Sequence, residues 1–75
     1  MAKVYDIKMI NIDGTEGYSI PGLSVIAVPH KNLKKFDIID TRKRKFLCGA
    51  KSYKEASSIL VRMARSMDIK PTVEV

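Results

Sequence analysis

Seventy-five residues leave room for one domain, which can bury only roughly 60% of the surface its unfolded chain exposes. With 45% hydrophobic and 29% charged residues, the composition excludes disorder and low complexity. The net charge of +6 is unevenly spread: residues 31–54 hold Lys31, Lys34, Lys35, Arg42, Lys43, Arg44, Lys45, Lys51 and Lys54 against only Asp37 and Asp40, a bias toward an anionic partner.

The N-terminus, Met1-Ala2-Lys3-Val4, has no apolar signal core, and the longest apolar run, Val25 to Pro29, is far short of a membrane span. Val4 to Ile12 predicts a strand with both faces partly covered: Tyr5, Ile7 and Met9 share one side, Val4, Ile10 and Ile12 the other. Asp13-Gly14, Gly17 and Pro21-Gly22 then predict an irregular connection containing a short extended piece at Tyr18 to Ile20. Leu23 to Val28 is the second main strand, ended by Pro29.

After a polar loop from His30 to Lys35, Phe36 to Asp40 and Lys45 to Ala50 form a hairpin across Thr41, Arg42, Lys43 and Arg44. Phe36 and Phe46 flank the turn as an expected cross-strand pair in the core. Ser52-Tyr53-Lys54-Glu55 matches a capping box and opens a helix. Ala56, Ile59, Leu60, Met63, Ala64 and Met67 follow as one apolar stripe that must cover a sheet. The helix should fail near Asp68 because Pro71 opposes helical geometry, and Pro71 to Val75 can extend as an edge strand. The expected fold is therefore a single α+β domain over residues 1–75. It is a small antiparallel sheet of four to five strands with one amphipathic helix on one face, in the order β-β-β-β-α-β.

Segment 36–45 followed by 52–56 resembles, locally, the strand, basic turn, strand and capped helix of arm-type DNA-binding domains in phage integrases. The opening thirty residues and the closing strand do not fit that module, and no family is assigned on it.

Chemistry-bearing constellations are sparse. Cys48 is the only cysteine, so no internal disulfide forms, which fits the reducing cytoplasm; in a strand it reads as a small packed side chain. His30 is the only histidine and has no acid beside it in sequence; with one cysteine it cannot make a zinc site. Asp37 and Asp40 sit three apart in a strand and face opposite ways, so they cannot act as a carboxylate pair, and Asp40 is expected to start the turn. No cofactor, metal or catalytic role is expected.

What stands out is the tip. Arg42, Lys43, Arg44 and Lys45 on a short turn can reach several phosphates together, with Lys34, Lys35, Lys51 and Lys54 assisting. They can equally serve to solvate the turn and guard a hairpin edge from aggregation. A second basic strip, Lys54, Arg62 and Arg65 with Ser58 and Val61 between them, is mainly the polar face any such helix shows to water. The leading expectation is a non-catalytic, cytoplasmic nucleic-acid-binding module for DNA or RNA without sequence specificity. The alternative is a phage-like adaptor or inhibitor docking on an acidic protein surface through anchors such as Val61 or Tyr18. Self-association through an edge strand at Thr72 to Val75 is a third reading.

Overall fold

A computed structural model describes residues 3–12, 14–31 and 34–74. Its elements in chain order are β1 (Lys3–Val4), β2 (Lys8–Ile12), β3 (Thr15–Ser19), β4 (Val25–Pro29), β5 (Phe36–Asp40), β6 (Lys45–Ala50), α1 (Tyr53–Ser66) and β7 (Val73–Glu74). Strands β2 to β6 form a five-stranded antiparallel meander in sequence order, and α1 packs across β4, β5 and β6 on one face. The α+β architecture of an antiparallel sheet under one helix is thus present.

Strand β4 lies at the centre of the meander, and its Val-Ile-Ala-Val run suits a strand covered on both sides. Val25 and Ala27 face the helix and pack with Ile20, Leu23, Phe36, Ile38 and Ala50. From above, α1 supplies Ala56, Leu60 and Ala64, spaced four apart, with Ile59 and Met63 half-buried beside them. The alanines let the helix axis come close, and each fully buried Leu or Ile stabilises by about 1.5–3 kcal/mol. Met67, expected on this stripe, is instead exposed as the helix C-cap. Ser52 caps the other end, its hydroxyl accepting the Glu55 N–H at 3.1 Å.

The helix stops before Pro71 can act. Asp68 takes φ +62°, its N–H donates to the Arg65 carbonyl, and the Ile69 N–H donates to Ala64 O at 2.9 Å, the paired bonds of a Schellman motif. Ile69 then folds against the core, and the Tyr5 hydroxyl donates to its carbonyl at 2.7 Å. Termination is therefore set by a left-handed residue just past the last turn.

Three expectations about strands need correction. The first strand is broken at residues 5–7, where Tyr5 and Ile7 turn into the core, so β1 and β2 are separate. The connection after it is a tight hairpin: Ile12 pairs with Thr15, Gly14 adopts φ +86° and its N–H donates to Asn11 Oδ1 at 2.9 Å. Asp13 lies outside the described residues. The last strand, β7, pairs with β1 in a separate two-stranded ribbon, Val4 opposite Val73, and does not edge the main sheet. Val75, the end of the proposed self-pairing strand, is also outside the described residues.

Ile26 has no exposed surface, yet strand alternation sets it on the face away from the helix. Gly17 explains its cover. A Cβ there would stand 2.5 Å from the Ala27 carbonyl oxygen and 2.9 Å from Ile26 Cγ1, so only glycine permits this approach. Strand β3 settles against β4 with one register pair, Tyr18 opposite Ala27, and the β2–β3 hairpin bends toward the β5–β6 tip, where Ile12 and Thr15 line a cavity with Ile39 and Thr41.

Candidate nucleic-acid interface

The β5–β6 hairpin has the expected limits, closing with Asp40 opposite Lys45 around Thr41, Arg42, Lys43 and Arg44. Its turn is held by specific bonds. The Asp40 carboxylate accepts the backbone N–H of Arg42 at 3.0 Å and of Lys43 at 3.2 Å, as an aspartate at a turn start does. Thr41 binds the Ser24 carbonyl twice, through its N–H at 2.9 Å and through its hydroxyl, which ties the tip to the loop before β4. Arg44 completes the turn at φ +51°, a left-handed conformation that a long side chain adopts at a cost.

Arg42, Lys43, Arg44 and Lys45 are all exposed, and among the described residues none forms an ion pair. Lys34, Lys35, Lys51 and Lys54 are exposed too, but they stand elsewhere. They flank the start of β5 and the end of β6, the opposite end of the hairpin, about 13–17 Å away at a strand rise of roughly 3.3 Å per residue. The eight cations thus divide into a tip group and a base group joined by edge strand β6.

Along that edge the expected aromatic pair does not exist. Phe36 is opposite Ala50 and buried, where its ring meets Tyr18 and Tyr53 edge-on at centroid distances of 6.1 Å each. Phe46 is opposite Ile39 and 58% exposed. The cause is the position of the turn: closing Asp40 against Lys45 sets Phe46 opposite Ile39, on the face away from Phe36, and the partner of Ile38 is then Cys48, so Leu47 is an extra, bulged residue. Inserting it returns Cys48 and Ala50 to the helix side, opposite Ile38 and Phe36. The run Phe46-Leu47-Cys48 carries a faint sequence signal, since three successive apolar residues cannot all face one core.

Phe46 shares the sheet's second face with a cavity of about 400 Å³ lined by Ile12, Thr15, Ile39, Thr41 and Arg44. In a flat meander the β2–β3 and β5–β6 turns would stand at opposite ends of the sheet. The bend at Gly17 brings the first beside the second, and nothing in the sequence marks Ile12 or Thr15 as part of a site.

The remaining candidates resolve differently. His30 does meet an acid, Nε2 lying 2.9 Å from Asp37 Oδ1 across the β4–β5 connection, a proximity hidden by their separation in sequence. Both side chains are partly open to solvent, and among the described residues no third ligand joins them. Asp37 and Asp40 lie on opposite faces of β5. Cys48 is half-buried against the core. Val61, expected to be exposed, is half-buried and faces Lys3, Val4, Tyr5 and Pro71, while Arg65 lies beside it. Tyr18 is stacked edge-on with Phe36 and Tyr53, so neither proposed protein anchor is free of the fold. Among the described residues no helix is long and apolar enough to cross a membrane. No family model, curated protein or solved structure matches the chain.

Proposed function

We propose that this chain is a small, non-catalytic, cytoplasmic module that binds nucleic acid by phosphate contact through Arg42, Lys43, Arg44 and Lys45. The observation that supports the reading most is a cluster of four exposed cations, without ion pairs among the described residues, on a turn fixed by Asp40 and Thr41. Fixing the turn lowers the ordering cost of binding, and displacement of counterions by several phosphates supplies the affinity. Lys34, Lys35, Lys51 and Lys54 serve a ligand that runs the length of β6, and contribute less to one confined to the tip.

The test is a salt titration. If the tip neutralises about four phosphates, duplex affinity falls with a log–log slope near −3.6, at roughly 0.9 per contact. The variant R42S/K43S/R44S/K45S should bind duplex and single-stranded probes more weakly and give a flatter slope. Affinity unchanged by those four substitutions would refute the proposal. Recovery of a stoichiometric protein partner from nuclease-treated lysate would instead favour docking on an acidic protein surface.

A further inference from the structure

We infer that the nucleic acid taken by this site is single-stranded, with Phe46 as a stacking platform for one base and the neighbouring cavity as the seat of the next. The inference rests on the nucleic-acid reading and specifies its ligand. A phenylalanine that is 58% exposed on an edge strand is a modest feature by itself, since scattered apolar side chains are common on surfaces. Its neighbours give it meaning. Lys45 precedes it, the other tip cations lie around the turn, and its cross-strand partner Ile39 lines the cavity.

That cavity has the chemistry a base requires. Ile12 and Ile39 offer apolar walls, Thr15 offers a hydroxyl, the Thr41 oxygen can still accept a hydrogen bond although its proton goes to the Ser24 carbonyl, and Arg44 lines the same opening. A volume of about 400 Å³ is within the range of small-ligand sites, roughly 300–1,000 Å³. Flat rings stacked on an aromatic side chain, with cations tracking the backbone, are the usual means of holding unpaired strands. A duplex keeps its base faces stacked internally and offers Phe46 nothing but its rim. The tip serves either form of ligand, whereas Phe46 and the cavity serve only the unpaired one.

The chain contains no tryptophan, so Phe46→Trp installs at the proposed contact a single indole that can be excited apart from the three tyrosines. Titration of this variant with oligothymidylate should quench and shift its emission, while a blunt mixed-sequence duplex of equal length should not. By anisotropy, Phe46→Ala should lose roughly 5- to 100-fold in affinity for oligothymidylate, keep its duplex affinity and keep the salt slope, because stacking displaces no counterions. Circular dichroism matching the wild type confirms that the exposed site has not disturbed the fold. Equal losses for both probes, no loss for either, or an emission from the Phe46→Trp variant that ignores oligothymidylate would overturn this inference while leaving phosphate binding intact. Failure of the wild type to bind either probe would overturn both.

Discussion

The two ends of the β5–β6 hairpin carry one phenylalanine each and treat them in opposite ways. At the base, Phe36 is 2% exposed, enclosed by Tyr18, Tyr53 and the helix-side core. At the tip, Phe46 is left in solvent while the backbone around it is secured by Asp40 and Thr41. Order at the base comes from apolar burial and order at the tip from hydrogen bonds, so the tip can present side chains outward without depending on them for its shape. That division is what a binding surface on a small domain requires, because each exposed group is one the core does not use.

The comparison breaks most sharply on the two rings themselves. Phe36→Ala should cost about 3–5 kcal/mol in urea denaturation, enough to threaten folding of so small a domain, whereas Phe46→Ala should change stability by no more than about 0.5 kcal/mol. Similar losses at both positions would mean that Phe46 is a structural residue. Next in size is Gly17→Ala, whose methyl group would meet the Ala27 carbonyl and Ile26; a loss of about 1–3 kcal/mol is expected, together with greater hydrogen exchange at the β2–β3 turn. Smaller than Gly17→Ala is Asp40→Ala, which strips the acceptor from two turn N–H groups and should cost about 0.5–2 kcal/mol. Exchange should quicken at Arg42 and Lys43 and leave the amides flanking Phe36 unchanged, which separates turn order from core order by direct measurement.

Sequence alone reveals the parts governed by local rules. The limits of β5 and β6 follow from β-branched and aromatic runs either side of a polar turn, and the helix start follows from Ser52 and Glu55. The helix end is readable only approximately, because Asp68 rather than glycine occupies the left-handed position and Pro71 is the stronger signal downstream. Strand β3 is hard to read since Glu16 and Gly17 have little strand preference of their own, and their conformation comes from pairing with β2. The basic tip is visible as a run of letters. Its neighbours Phe46, Ile12 and Thr15 are not, since one depends on the register set where the turn closes and the others on a bend made possible by a bare Cα.

The ribbon of β1 and β7 holds Lys3 opposite Glu74 on adjacent antiparallel backbones. Strand partners of that kind stand about 5 Å apart at their Cα atoms, so the backbone enters and leaves the fold through one short seam. A pull applied across Lys3 and Glu74 would therefore unzip that seam pair by pair before any load reached the five-stranded sheet.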